Sequence, residues 1–444
     1  MKLLIVAGFL ILVCLAVYWP HKNSEFVLDD YYTVVRNPLI KNPFLYQKIL
    51  TSRLFDANQS SAYIKFGYYR PVLQASWIID YRLFGLKAAG YQWLNLLIHT
   101  LNCFLIYILW SQLFGKSLLA LKASLLFCVL PSQEWVVRYV TGRGDELSAF
   151  FALLSLVFLL WVLRTGFKKG YILVFVFWAL SALTREVAIS YILYAFVLKN
   201  AYLKNKNINH FSLFWILIGI SPLLLISSAI PKQGNILAFH MMYFASAGFC
   251  LWIAQLRTRW VVLLFSFFAA LSFYQGQFWT TEMSLLRHTR SLESWPRTVV
   301  AQQLLMKYDD DIAGIQDMVE KSHEPHINAM WLRRLGMVYF EHKDLFSAQR
   351  YFLKALSVNP VDVDALDALA VVAHYKGQEE QSFEFLNRAL ETNPSYPDTL
   401  RTLGIYYYNH NDFYKAQIFL NRCLIFDPEN SQAKELLRLV NKTI

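Results

Sequence analysis

A chain of 444 residues that is 56% hydrophobic and only 16% charged falls well below the roughly 25% charge of soluble domains, which excludes an ordinary water-soluble protein. Of its 42 bases and 31 acids, 18 and 22 lie in residues 281–444, which leaves 24 bases and 9 acids to residues 1–280. The whole basic excess behind the net charge of +11 thus sits in the apolar part, where Lys and Arg report membrane orientation, and no nucleic-acid partner is expected.

A bilayer core takes about 20 mostly apolar residues per helix, and runs of that kind or somewhat shorter recur about nine times. They lie near residues 3–19, 92–113, 117–130, 147–164, 170–184, 187–199, 210–229, 236–256 and 260–279. The first carries no small-x-small cleavage site before Pro20 and His21 and reads as an uncleaved span. With the N-terminus cytoplasmic, the inner side holds Lys2, Lys116, Lys122, Arg164, Lys168, Lys169, Lys199, Lys204, Lys206, Arg257 and Arg259. Every acid of this half falls on the opposite side, and an odd number of spans puts the polar C-terminal part there too. The five cysteines show no spacing that predicts a metal site or a disulfide framework, and His99 reads as a core or interfacial histidine.

The outer loop, residues 20–91, contains Asp29 and Asp30 directly after the first span, then Asn37-Pro38 and Tyr68-Tyr69-Arg70-Pro71. Adjacent carboxylates at a membrane surface can bind a cation, orient a hydroxyl or take its proton, so a divalent cation is a possible cofactor. The next outer segments place Glu134, Arg138, Arg143, Asp145 and Glu146, and then Arg185 and Glu186, at or just above membrane depth. A guanidinium fork matches a phosphate bidentately, and the competing role is an ion pair of Arg143 with Asp145 or of Arg185 with Glu186.

The C-terminal part repeats itself every 34 residues: Leu335-Gly336, Leu369-Ala370 and Leu403-Gly404 stand in register, as do Pro360, Pro394 and Pro428. Tyr339/Ala373/Tyr407 and Ala348/Ser382/Ala416 keep the same step. Small residues let two helices approach, large ones fill the gaps, and proline ends the second helix. The pattern resembles tetratricopeptide repeats, with three copies over 329–430, a degenerate repeat in a connector over 281–328 and a capping helix over 431–444. Such an array takes a peptide or protein on its concave face or serves as a spacer.

In order along the chain, Phe26-Val-Leu-Asp29-Asp30, Tyr69-Arg70-Pro71, Gly90-Tyr-Gln-Trp-Leu-Asn95 with His99, Thr141-Gly142-Arg143-Gly144-Asp145-Glu146, Leu183-Thr-Arg185-Glu186 and Trp279-Thr-Thr-Glu282 lead into the repeats. This order resembles the transmembrane and tetratricopeptide repeat-containing O-mannosyltransferases, and more broadly membrane glycosyltransferases of the GT-C type. The resemblance implies an all-α fold: a polytopic bundle over 1–280 followed by an α-solenoid. It also implies transfer of a sugar, mannose or another hexose, from a polyprenyl-phosphate carrier to Ser or Thr of a protein on the non-cytoplasmic side. Asp29 and Asp30 would then be the catalytic acids. Arg70, Arg138, Arg143 and Arg185 would hold the carrier phosphate, with Glu134, Asp145 and Glu186 in support. Gln92 and Leu130-Pro-Ser-Gln133 depart from the histidines common in relatives.

The short array points to a bacterial inner membrane with periplasmic repeats. The glycosylation acceptor patterns at Asn58 and Asn441 point instead to the endoplasmic reticulum with lumenal repeats. A non-enzymatic scaffold that recruits a partner through the repeats is the competing function. A transporter is disfavoured because the acids gather on one side rather than line span centres.

Overall fold

The computed structural model describes residues 2–20, 23–27, 30–35, 37–51, 68–203, 207–226, 242–281, 284 and 325–443. Regular structure among them is helical throughout, which agrees with the all-α expectation. The chain divides into two compact units, Met1–Tyr31 with Tyr69–Thr298, and Tyr32–Tyr68 with Val299–Ile444. Residues 32–68, read from sequence as part of the membrane half, thus group with the repeats.

In the first unit, α1 (Lys2–Tyr18) is followed, beyond the segment that belongs to the second unit, by α3 (Pro71–Phe84), α4 (Ala88–Phe114) and α5 (Ser117–Cys128). Next come α6 (Glu134–Val137), α7 (Arg143–Thr165), α8 (Tyr171–Thr184) and α9 (Ile192–Leu203). The unit ends with α10 (Ile208–Ile226), α11 (Tyr243–Ile253) and α12 (Thr258–Gly276).

The 27 residues of α4 rise about 40 Å, enough to cross a bilayer core of about 30 Å. Glycines in the left-handed region, Gly115 at φ 69° and Gly166 at φ 72°, stop α4 and α7. Helix α4 packs against α1, α3, α5 and α7, so it is the centre of the unit. An aromatic core fills the space beside it, where Trp110 meets Trp215 edge-on at 4.8 Å and Tyr191 stacks on Phe244 at 4.4 Å. Gly248 is needed there, because a Cβ would lie 2.7 Å from the Trp215 ring.

About nine spans were expected, whereas three helices among the described residues are long and apolar enough to cross: Ala88–Phe114, Arg143–Thr165 and Thr258–Trp279. A fourth exists if Ser117–Cys128 and Pro131–Val137, bent by 52°, count as one. The physical reason is interruption. Pro131 breaks the continuous apolar run after α5, and α8 and α9 stop after 14 and 12 residues. The apolar run at 236–256 is described only from 242, where α11 has 11 residues. Only 17% of the apolar window of α12 is buried, and its Leu263 and Phe267 are more than half exposed. A helix that turns such residues outward needs an apolar solvent, so the first unit is a membrane protein.

In the second unit, α13 (Pro325–Glu341) and α14 (Leu345–Val358), α15 (Val363–Tyr375) and α16 (Glu379–Thr392), and α17 (Pro397–Asn409) and α18 (Phe413–Phe426) form three helical hairpins. Helix α19 (Ser431–Thr443) covers α18. The repeat columns are packing contacts. Gly336 faces Phe352 and Gly404 faces Leu420, each so close that a Cβ would fall within 2.6 Å of the larger side chain. Tyr339 stacks on Tyr351 and Tyr407 on Phe419, nearly parallel at 5.3 and 5.4 Å. Ala348 and Ala416 are fully buried at the same step. Pro360, Pro394 and Pro428 each follow a helix C-terminus by two residues. The turn inside each hairpin uses a positive φ at Lys343, Gly377 and Asn411.

The helix α2 (Pro38–Lys41), which lies against α18, and a 3-10 helix, Pro43–Leu50, packed on α2, belong to this unit. Each begins with an Asn-Pro cap: Asn37 accepts from the Leu39 N–H and Asn42 from the Phe44 N–H, both at 3.0 Å. Lys41 pairs with Asp427 at 2.6 Å, and the Asn42 amide donates to the Ile425 carbonyl. Of the connector expected at 281–328, all but Thr281, Ser284 and the start of α13 lies outside the described residues.

Candidate functional site

The charged residues of the first unit come together as four arginine–carboxylate pairs. Pro71 starts α3 and leaves Arg70 at its N-cap, from which Nε and Nη2 donate to the two Glu186 oxygens at 2.9 and 2.5 Å. Arg185 is extended at φ −155° between α8 and the 3-10 turn of Glu186, so these neighbours point apart and Arg185 reaches Asp145 instead. Arg143 opens α7 and pairs with Asp80 on α3; it also donates to the Asn95 side chain at 2.7 Å and the Tyr91 carbonyl at 2.8 Å. Arg138 holds Glu134 one helical turn away at 2.6 Å and the Val17 carbonyl at 3.0 Å. Gly276 makes room for it, since a Cβ there would fall 2.4 Å from Nη2.

All of these side chains are buried except that of Glu186, which is 42% exposed. Burial pushes the Asp80 carboxyl up to about 6 in spite of Arg143. Burial also pushes Glu186 up, but the hydrogen bonds and charge of Arg70 outweigh it and hold that carboxyl below its ordinary range. The two ion pairs named from sequence, Arg143 with Asp145 and Arg185 with Glu186, do not form. Asp80 was not among the sequence candidates, and its only signal was membership of the acid set on one side.

Asp30 is buried and occupied: one oxygen accepts from the Thr141 N–H and hydroxyl at 2.8 and 2.7 Å, the other from the Val27 N–H at 3.2 Å. It clasps the outer loop to the turn before α7. That turn requires Gly142, where a Cβ would lie 2.3 Å from the Trp135 carbonyl. Asp29 and Glu282 lie outside the described residues. Glu146 is fully buried, and neither of its oxygens has a hydrogen-bond partner. Gln92 and Gln133 serve as buried donors, to the Arg138 carbonyl at 2.9 Å and the Ser246 hydroxyl at 3.0 Å.

Among the described residues, no three carboxylates bring oxygens within reach of a single ion. A groove of about 760 Å3 opens beside Trp19, Phe26, Phe84 and Trp93, with Glu25 and Lys87 in its wall.

No protein-family model matches the chain. Among curated proteins, a protein O-mannosyl-transferase of Caenorhabditis elegans is 31% identical over 159 residues, 34% of this chain and 23% of that protein. Protein O-mannosyl-transferase TMTC3 of Homo sapiens is 30% identical over 141 residues, 32% of this chain and 15% of its own. Protein O-mannosyl-transferase TMTC4 of Mus musculus is 29% identical over 181 residues, 37% and 24%. Each match thus takes in less than a quarter of the relative, and the resemblance read from the sequence is to these proteins.

Among solved structures, the first TPR of Spaghetti (RPAP3) bound to an HSP90 peptide is 20% identical, with a TM-score of 0.25 over 26% of this chain and 91% of that one. The Archaeoglobus fulgidus oligosaccharyltransferase is 13% identical, with a TM-score of 0.33 over 99% of this chain and 55% of that one.

Proposed function

We propose that this chain, related to protein O-mannosyl-transferases over about a third of its length, transfers mannose or another hexose from a polyprenyl-phosphate carrier to a protein Ser or Thr. The observation that carries the reading is the Arg70 fork. Its Nε and Nη2 hold a half-exposed carboxylate in the two-point geometry that a phosphate also offers, so the carrier can take the place of Glu186. The bond from sugar carbon to phosphate oxygen breaks, the acceptor oxygen forms the new one, and the arginine stabilises the negative charge left on the phosphate.

Arg138, Arg143 and Arg185 are enclosed with Glu134, Asp80 and Asp145, and their part is to hold the frame on which Arg70 sits. Asp30 positions the outer loop, because its oxygens are already engaged. Its neighbour Asp29 is the group assigned to orient or deprotonate the acceptor hydroxyl. The repeats present the acceptor or a partner. The N-terminus is placed in the cytoplasm of a bacterial cell and the repeats in the periplasm. This orientation is supported by α7, which runs from Arg143, Asp145 and Glu146 to Arg164 and is followed by Lys168 and Lys169.

A scaffold without chemistry draws on one observation: each of the four arginines already has a carboxylate partner. Transfer of labelled mannose from a lipid-linked donor, by membranes carrying Asp29→Asn, Asp30→Asn or Arg70→Lys, decides between them. Loss of transfer at normal accumulation supports the enzyme. Unchanged transfer in all three variants leaves the scaffold.

A further inference from the structure

In the core of the first unit, α1, α4 and the end of α5 bring three cysteines together. The sulfurs of Cys14, Cys103 and Cys128 all lie within 4.8 Å of one another, with Cys14 and Cys128 3.4 Å apart, and all three residues are fully buried. His99, one helical turn before Cys103 on α4, brings Nε2 to 3.7 Å from the Cys103 sulfur. Its other nitrogen, Nδ1, lies 2.8 Å from the Tyr243 hydroxyl, and the Asn102 amide donates to that same oxygen at 3.1 Å.

We propose that Cys14, Cys103, Cys128 and His99 form a structural zinc site. A tetrahedral zinc with Zn–S of about 2.3 Å and Zn–N of about 2.0 Å separates two sulfurs by about 3.8 Å and a sulfur from the nitrogen by about 3.6 Å. The Cys14–Cys128 and Cys103–His99 separations, 3.4 and 3.7 Å, lie close to these values, and the imidazole, which stands beyond 4.8 Å from at least one of the other two sulfurs, swings toward them to close the site. Three thiolates and one imidazole are a closed donor set of the kind structural zinc takes. The ring is also held as a ligand histidine is held: with the Nδ1 proton donated to Tyr243, Nε2 presents its lone pair to the sulfurs. The competing contact, Nε2 to the Cys128 carbonyl, is longer at 3.3 Å.

A disulfide explains less, because it joins two sulfurs and needs neither the third nor the ring. Charge selects the metal. Three thiolates and a neutral imidazole leave a zinc complex with one negative charge but a copper(I) complex with two, and the smaller charge costs less in an apolar core. On binding, three Zn–S bonds and one Zn–N bond form, and the three thiol protons pass to solvent. The site ties α1, which leads into the Asp30 loop, to the two helices behind it.

The test uses the full chain, purified in detergent with a non-chelating phosphine reductant, and metal content from mass spectrometry. The expected result is about one zinc per chain, lost in His99→Ala and Cys103→Ala and kept in Cys250→Ala. Core substitutions can unfold the chain, so the deciding measurement is made on the unsubstituted protein. A mercurial thiol reagent should release the zinc, seen with a chromogenic chelator, and cobalt(II) substitution should give strong sulfur-to-metal charge-transfer absorption. Zinc-free protein whose cysteines all alkylate after denaturation overturns the proposal. So does a mass deficit of two hydrogens from a disulfide in protein purified without the reductant, copper in place of zinc, or zinc retained when all three cysteines are alanine.

Discussion

Replacing Arg143 with methionine tests whether the sealed pairs are framework. Two buried acceptors, the Asn95 oxygen and the Tyr91 carbonyl, lose a donor, at about 1–3 kcal/mol each. That cost is independent of pH. The Asp80 cost is not. Its carboxyl rises from 3.8 to about 6 with Arg143 present, and without the arginine it stays protonated at neutral pH. A carboxyl raised in the folded state holds a proton that the unfolded chain has given up, so stability falls as pH climbs through the window between the two values. In the parent protein this window closes near pH 6. In Arg143→Met it extends upward, adding about 1.4 kcal/mol of loss at pH 7 and about as much again at pH 8.

The assay is the apparent thermal midpoint in detergent at pH 6, 7 and 8, read by a thiol-reactive fluorophore, since all five cysteines are buried in the folded chain. The deficit of Arg143→Met should grow with pH, and Arg143→Met/Asp80→Asn, which lacks the Asp80 carboxyl, should lose most of that slope. A single variant with the same deficit at pH 6 and pH 8, or a double variant with the full slope, refutes the account.

Arg70→Lys keeps the charge but loses the fork and is expected to lower sugar transfer by about ten- to a hundredfold at unchanged accumulation, measured with labelled donor. Gly336→Val drives a side chain into the Phe352 ring, 2.6 Å from where a Cβ sits; it should cost about 1–3 kcal/mol, seen as an earlier loss of helical circular dichroism from the repeats. Burial and then the Asp398 charge push the Asp367 carboxyl up to about 7. Stability therefore falls as pH rises from 3.8 to about 7, and Asp367→Asn should raise the midpoint at pH 8 more than at pH 5. Lys41→Cys/Asp427→Cys should form a disulfide in intact membranes; a pair that stays reduced under mild oxidant shows the two segments on opposite sides.

The repeat array was readable from sequence because each of its columns is a contact. Gly336 and Gly404 are small since Phe352 and Leu420 press on them, and that demand returns at every repeat. The arginine partners were not readable, because adjacency in sequence misleads at a helix start. Residues one or two apart on α7 point in different directions, so Arg143 turns to Asp80 while Asp145 turns to Arg185. The cysteine cluster was invisible for a related reason: its ligands come from three helices, and the spacing rules for metal sites describe ligands that share a loop or hairpin. The number of spans was overcounted because hydropathy registers an apolar run whatever the length of the helix it forms, and α8 and α9 stop after 14 and 12 residues.

The contact between Lys41 and Asp427 joins positions 386 residues apart. At a ribosomal speed of roughly 5–20 residues per second, about 20–80 s pass between the emergence of the first partner and the second. Through that interval the short segment waits without the partners of Lys41 and Asn42. A nascent chain stalled before its last repeat would leave this early segment open to chaperones and proteases, which makes completion of the C-terminal repeat a checkpoint on the segment made first.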